Sequence, residues 1–338
     1  MRLIRNFATA TTMLLTLATL PAIAQTNWGV TKTFPIGGDG SWDYVTVDAP
    51  GHRLFVTRTT HTMVIDSESG KVLGDITGLK GSHGVAIVPK VGRGFITDGG
   101  GTGAIVIFDL KTYAVLGQIA AMPDADGIIY DAKLDRVLAV SGDGGVLMTF
   151  KPDIDAKTGK LETIELGGKP EFLASDGSGK VYINLEDKDL VAVVDMTSRK
   201  VIHRWPVAPG GAPVGMALDA KGRHLIIGCR KPATMIVMSA DSGKVEATLP
   251  IGTGVDATVA AGGQAFASSG DGKLTIATEK NGKFAVTQTV TTKVAARTMG
   301  MDMTTHRIFM PTAEMEPATT GRPKAKPGTF MIVVVGQQ

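Results

Sequence analysis

Seven segments of the chain repeat one apolar pattern at nearly constant spacing. They are Asp43–Asp48, Gly84–Pro89, Asp126–Asp131, Glu171–Asp176, Val214–Asp219, Asp256–Ala261 and Arg297–Asp302. Their last residues lie 41, 42, 45, 43, 42 and 41 positions apart. A period of this length marks a repeat architecture, whose units bury their apolar faces only against one another. Each segment leads into a turn rich in Gly, Lys or Arg, then a second apolar run such as Leu54–Thr57 or Val181–Asn184. A polar loop, a third run such as Met63–Asp66, a tight turn such as Glu68–Lys71 and a fourth run complete the unit. Short strands with turn signals every 8–12 residues or so are an all-β pattern. Four of them in a unit of about 42 residues make a propeller blade. The 43 glycines suit such turns, and after the first residues no helical periodicity is sustained. The expected fold is an all-β, seven-bladed β-propeller of four-stranded antiparallel blades.

The chain ends set the phase. Gly29–Gly37 is a near-copy of Lys244–Gly252, the last strand of a unit, yet it has no unit before it. The final unit has a first strand (Arg297–Met301), a second (Ile308–Pro311) and a third (Thr329–Val335), and then stops. The N-terminal strand (29–36) is therefore expected to complete the C-terminal blade, which closes the ring and removes its exposed edges. Residues 25–338 form one domain on this reading, with an insertion loop at 313–328 in the last blade.

Arg2 and Arg5, the apolar run Met13–Leu20 and the small-x-small site Ala22-Ile23-Ala24 describe a secretory signal peptide over residues 1–24, cleaved after Ala24. The apolar run is too short for a transmembrane anchor. A periplasmic or secreted monomer is expected. Without the two leader arginines, 33 basic residues face 32 acidic ones, so the charge implies no polyanionic partner. Cys229 is the only cysteine, which excludes an intrachain disulfide, and it reads as a small buried hydrophobe.

The strand pair Lys180–Asn184 and Val191–Asp195, the turns Ser69-Gly-Lys-Val72 and Ser242-Gly-Lys-Val245, and the strand end Thr248-Leu-Pro-Ile-Gly252 resemble the YVTN repeat. The chain is similar in this respect to the YVTN-repeat seven-bladed propellers, in particular the YncE-like exported proteins, over essentially all of its length after the leader. The resemblance implies the fold. It leaves the activity open, because the wider lactonase-like group includes lactone hydrolases, cofactor-bearing dehydrogenase subunits and surface proteins. A WD40 alternative is weaker, since the one Trp-Asp pair, Trp42-Asp43, opens a first strand rather than ending a third.

The phase puts the inter-blade loops and the loops between second and third strands on one face, here called the top. Asp43, Asp126, Glu171, Asp256 and Arg297 share one repeat position there, and His83 falls one residue earlier; Val214 brings no charge. Arg58 and His61 come from a second-to-third-strand loop. Such acids can cap backbone N–H groups. Alternatively, Asp43, Arg58, His61, His83, Asp126, Glu171, Asp256 and Arg297 line a polar ligand site at the mouth of the channel, with cations offsetting the carboxylate repulsion. His61 and His83 are candidate ligands of a divalent metal, although their spacing matches no known motif. Alternating Met299, Met301 and Met303 are expected in the core. The loop 313–328 reads as a lid, a partner contact or a structureless flap.

No haem-attachment motif, Walker A, His-Glu-x-x-His or Gly-x-Ser-x-Gly occurs, and no basic stripe with interleaved aromatics supports nucleic-acid binding. The leading expectation is a non-enzymatic binding module whose top face takes a small molecule or a periplasmic or envelope protein, with no certain cofactor. The alternative is a lactonase-like or metal-assisted hydrolase using the same face; a scaffold acting through loop 313–328 is a third.

Overall fold

The computed structural model describes residues 27–317 and 323–338. The expected leader lies outside them. The described chain is all β apart from two short 3-10 turns, and no helix is long and apolar enough to cross a membrane.

The strands form five four-stranded sheets and one seven-stranded sheet. The larger sheet is two blades joined by one long strand, Val72–Val88. Its first half pairs with Thr59–Asp66 as the outer strand of blade one, and its second half pairs with Arg93–Asp98 as the inner strand of blade two. The result is a seven-bladed propeller. Trp28–Pro35 pairs antiparallel with Met331–Gln337, from Trp28 opposite Gln337 to Pro35 opposite Met331, so the N-terminal strand completes the last blade. That third strand starts two residues later than expected, because Lys326 to Thr329 form a turn in which Thr329 N–H donates to the Lys326 carbonyl. The last inner strand shortens to Gly300–Met301, which leaves Arg297 in the loop before it.

Register corrects one alignment. Ser82 sits opposite Asp98 and Val85 opposite Ile96, as Ala125 sits opposite Ser141 and Ile128 opposite Ala139. His83 is therefore the structural equivalent of Asp126, not one residue early. The inner segment of blade two runs to Val88, and Pro89 opens a 3-10 turn. The turn keeps the length of its counterparts, from Val88 to Arg93 as from Asp48 to Arg53 and Asp131 to Arg136; taking Pro89 as the last strand residue had displaced the sequence alignment.

There is no single core. Seven apolar clusters fill the seven blade junctions, each built from the facing sides of two neighbouring blades. The strands are buried on both faces, which explains their nearly continuous apolar runs. Phe34 in the closing strand lies under Gly70 of blade one, just as Trp205 lies under Gly243 of blade five. Both glycines have left-handed backbones (φ 74° and 71°), and a Cβ on either would fall 2.2–2.4 Å from the ring beneath. The Ser-Gly-Lys turn thus needs glycine for its conformation and for the aromatic beneath it. On this opposite face, aspartates such as Asp66, Asp109 and Asp302 accept backbone N–H bonds from the turns they open.

Polar side chains at the ends of second strands hold four of the blades to the next. Thr57 donates to the His83 carbonyl at 2.7 Å, Thr97 to Asp126 at 2.6 Å, Asn184 to Val214 at 2.9 Å and Ser268 to Arg297 at 2.5 Å. Thr298 closes the ring in the same way by donating to the Asp43 carbonyl at 2.7 Å. Met299 and Met301 lie in the core as expected, but Met303 is exposed, because the strand has already given way to a turn. Cys229 is fully buried, and burial pushes its thiol up to about 12.

Two outcomes follow from this packing. Phe34→Ala should lower unfolding free energy by about 3–5 kcal/mol in urea titrations, whereas exposed Thr33→Ala should change it by less than about 0.5 kcal/mol. Cys229 should resist a thiol-specific chromophore at pH 8 in the native protein and react fully once the chain is unfolded in guanidinium.

Candidate functional site

Seven residues at one repeat position ring the axis on the top face: Asp43, His83, Asp126, Glu171, Val214, Asp256 and Arg297. The staples just described fix the backbone of five of them. The inner strands crowd together here: a Cβ on Gly127, next to Asp126, would lie 2.8 Å from the Glu171 carbonyl. Ring side chains are consequently brought into contact although roughly forty residues separate each from the next.

One half of the ring is acidic around a single imidazole. His83 Nδ1 lies 2.7 Å from Asp43 Oδ2 and 3.6 Å from Asp126 Oδ1. The other edge of the imidazole faces Gly99, where a Cβ would fall 3.1 Å from Nε2. Asp126 Oδ1 is buried and has no hydrogen-bond partner among the described residues.

The other half is a cation bridge. Arg230 Nη1 is 3.0 Å from Glu186 and 3.7 Å from Glu171, and its Nη2 donates to Asp256. Arg297 Nε donates to the second Asp256 oxygen at 2.6 Å, and its Nη2 donates to the Trp42 carbonyl at 3.3 Å. Asp256 thus sits between two guanidiniums. Arg230 comes from the end of a strand in blade five, the blade whose ring position is the uncharged Val214.

Five carboxylates here face two guanidiniums and one imidazole, and the protonation equilibria respond. Burial raises Asp43, opposed by its bond to His83. Burial, with the charges of Asp43 and Glu171, holds Asp126 well above the carboxylate range. Burial and the neighbouring Glu186 carboxylate push Glu171 up to about 8. For His83, burial opposes the charged ring, but the bond to and charge of Asp43 outweigh it and the pKa rises. Burial and the surrounding acids also raise the Tyr44 phenol well above its usual value.

Two expected site residues are elsewhere. Arg58 is 1% exposed. It folds under the top face, donating to the Ser41 carbonyl at 2.9 Å and the Asp39 carbonyl at 2.7 Å, 3.6 Å from the Phe330 ring centre. It ties the first inter-blade loop to the last blade. His61 lies within the strand Thr59–Asp66, with Nδ1 3.1 Å from the Thr60 hydroxyl, and burial lowers its pKa against the opposing charge of Asp75. The metal-competent cluster is Asp43, His83 and Asp126, so His61 and His83 are not brought together as a ligand pair. Strand alternation carries His61 away from the axis although its loop lies on the right face.

The capping role falls to a different set of acids. Asp98 accepts N–H bonds from Lys80 and Gly81, Asp187 from Lys169, Asp189 from Ala212 and Asp271 from Thr253. Among the described residues, no ring carboxylate accepts a backbone N–H.

Tyr44, together with Glu186 and Arg230 from top-face loops, completes the site beyond the eight residues expected to line it. Tyr44 follows Asp43 on the first inner strand, and its ring meets Phe172 at 5.0 Å inside the channel. Being the aromatic neighbour of a ring residue was the available signal. The channel itself holds only about 70 Å³, lined in part by Tyr44, Phe172 and Met299. That suits a few waters or an ion rather than an organic molecule. Larger grooves of about 340 and 400 Å³ open at its mouth against Arg297, Met315 and Pro323. Their outer wall is the arm within loop 313–328, where Glu316 N–H donates to Lys324 O and Lys326 N–H to Glu314 O, both at 2.8 Å. Met315 and Ala325 pack on the cluster that contains Trp42 and Phe330. The described part of the loop is thus an ordered hairpin; residues 318–322 lie outside the described set.

Among solved structures, hydrazine synthase from Kuenenia stuttgartiensis superimposes with a TM-score of 0.70 at 11% identity, covering 80% of this chain and 92% of that one. The WD40 β-propeller domain of Doa1 matches at 0.71 and 14%, covering 93% and 98%. The β-propeller domain of Cps50 (Swd1) from Myceliophteria thermophila matches at 0.69 and 12%, covering 92% and 100%. The fold is a β-propeller. At these identities the likeness carries fold and nothing finer. No protein-family model matches the sequence, and no curated protein does.

The raised Glu171 makes a pH prediction. Its folded pKa lies above the unfolded value, so its stabilising contribution is full below about pH 4.5 and fades as pH rises through 8. In chelator-treated samples, Glu171→Gln should flatten the loss of melting temperature between pH 5 and pH 8.5. A parallel pH dependence in wild type and variant would refute the assignment.

Proposed function

We propose that this chain is an exported, YncE-like propeller that binds a ligand at the mouth of its channel, and that the ligand joins an acid group to an apolar body. The observation that carries this reading is the groove between the last-blade hairpin and the ring. Arg297 and Arg230 form its floor, and Val294, Met315 and Pro323 form its apolar side. Its size matches small-molecule sites, which are mostly apolar with a few polar groups fixing orientation. Guanidinium donors favour a carboxylate or phosphate partner. The repeat resemblance and the leader motif support export to the periplasm or beyond. An envelope protein that presents an acidic side chain to the same groove is the macromolecular version of this ligand.

The competing reading is hydrolysis. It draws on the 2.7 Å bond between Asp43 and His83, the orienting half of a carboxylate–histidine pair, with Nε2 left to take a proton from water. It predicts turnover on a lactone panel that disappears in His83→Ala.

The binding reading is tested by thermal-shift screening of the mature chain against aliphatic and aromatic carboxylic acids, followed by calorimetry. Arg297→Ala should weaken the best acid at least tenfold, about 1.4 kcal/mol. Lys221→Ala, on the opposite face, should leave the affinity unchanged. Equal affinity in Arg297→Ala, or no acid that binds, would overturn this reading.

A further inference from the structure

The geometry points to a divalent transition-metal site at the top of the channel, formed by Asp43 Oδ2, His83 Nδ1 and Asp126 Oδ1. One donor atom from each of these three residues lies within 4.8 Å of the other two. Ligand atoms bound at about 2.0–2.2 Å to one ion lie roughly 3.0–3.6 Å apart. The observed separations from Nδ1 are 2.7 Å to Asp43 and 3.6 Å to Asp126, which bracket that range. The two carboxylates need only close on each other from within 4.8 Å to seat an ion.

A second observation separates this cluster from an ordinary group of acids. Asp126 is 9% exposed, and its Oδ1 is fully buried without a hydrogen-bond partner among the described residues. It faces His83 Nδ1. A buried carboxylate oxygen with no donor costs free energy that an ion would offset. Asp256 is held by two guanidiniums and Glu186 by Arg230, while Asp98 and, through Oδ2, Asp271 cap loops.

The donor set also selects the ion. One imidazole and two carboxylates suit Zn²⁺, and less tightly Mn²⁺, whereas Ca²⁺ takes six to eight oxygens. Binding replaces any proton that Nδ1 shares with Asp43, and that proton leaves to solvent. The channel below, about 70 Å³ and lined in part by Tyr44 and Gly84, leaves room for coordinated water. Gly99 sets the ring: a side chain there would press on Nε2 and turn Nδ1 off the carboxylates. The site is independent of the groove reading, which uses Arg297 and the hairpin.

The test is calorimetry and equilibrium dialysis on the full mature chain after chelation, with Zn²⁺, Mn²⁺ and Ca²⁺ alone. One Zn²⁺ per chain is expected, with Mn²⁺ weaker and Ca²⁺ weaker still. The near-isosteric variants Asp126→Asn and His83→Gln should each bind Zn²⁺ at least tenfold more weakly while keeping the wild-type circular dichroism spectrum. His224→Ala removes a histidine–carboxylate contact away from the ring, 3.1 Å from Glu246, and should bind like wild type. Co²⁺ supplies a readout that surface binding would not reproduce, since its visible absorption should change in His83→Gln. The proposal is overturned by absent stoichiometric Zn²⁺ binding, by a preference for Ca²⁺, by unchanged affinity in Asp126→Asn and His83→Gln, or by loss on His224→Ala. Should either ring variant misfold, Gly99→Ala replaces it. Its expected effect is weaker Zn²⁺ binding and an altered Co²⁺ spectrum, and wild-type values for both would likewise count against the site.

Discussion

The pairing of Trp28–Pro35 with Met331–Gln337 is the constraint on which everything else depends. A propeller has no central core to hold it. Its apolar surface is divided among seven blade junctions, and each blade is stable only because it has two neighbours. An open ring would leave two blades with one bare face each. The closing strand brings Phe34 into the junction of blades seven and one and Trp28 into that of blades six and seven. By setting which strand of the unit comes first, it also sets which loops share a face and so where a ligand can meet the chain.

Within the closed ring, the staples convert a fold into a site. Thr57, Thr97, Asn184 and Ser268 hold backbone carbonyls at the ring position of the next blade. With the backbone held by neighbours, the ring side chains need not serve as caps and can meet across the axis. The cost is electrostatic. More carboxylates than cations converge where water is scarce, so Asp126 and Glu171 are driven toward their neutral forms and Arg230 is drawn in from a second strand. Clusters held in this way, with perturbed protonation inside a concave mouth, are characteristic of functional positions.

How much of this was legible depends on which physical rule governed each residue. Blade number, ring closure and the shared face follow from period and phase, which are local patterns repeated seven times. Arg58 and His61 were placed on the right face but in the wrong direction, because loop membership does not determine where a side chain points. Arg58 turned back toward Phe330 and His61 followed the alternation of its strand. His83 was identified but set one residue out of phase, since Pro89, which opens the following turn, was counted as the last residue of its strand. The acids divided into caps and ring members, a distinction that rests on backbone N–H positions with no trace in residue type.

The amino-acid sequence alone determined the number of blades, the closing strand and the polar character of one face, because strand period and turn chemistry act over a few residues and need no distant partner. Only the tertiary structure decided that His83 meets Asp43 and Asp126 while His61 does not, and that Arg230 fills the place Val214 leaves uncharged. It also decided that the insertion forms the wall of a groove. Each of these is a contact between residues tens to hundreds of positions apart. Sub-ångström register and side-chain direction govern such contacts, and they are settled only when all seven blades pack together.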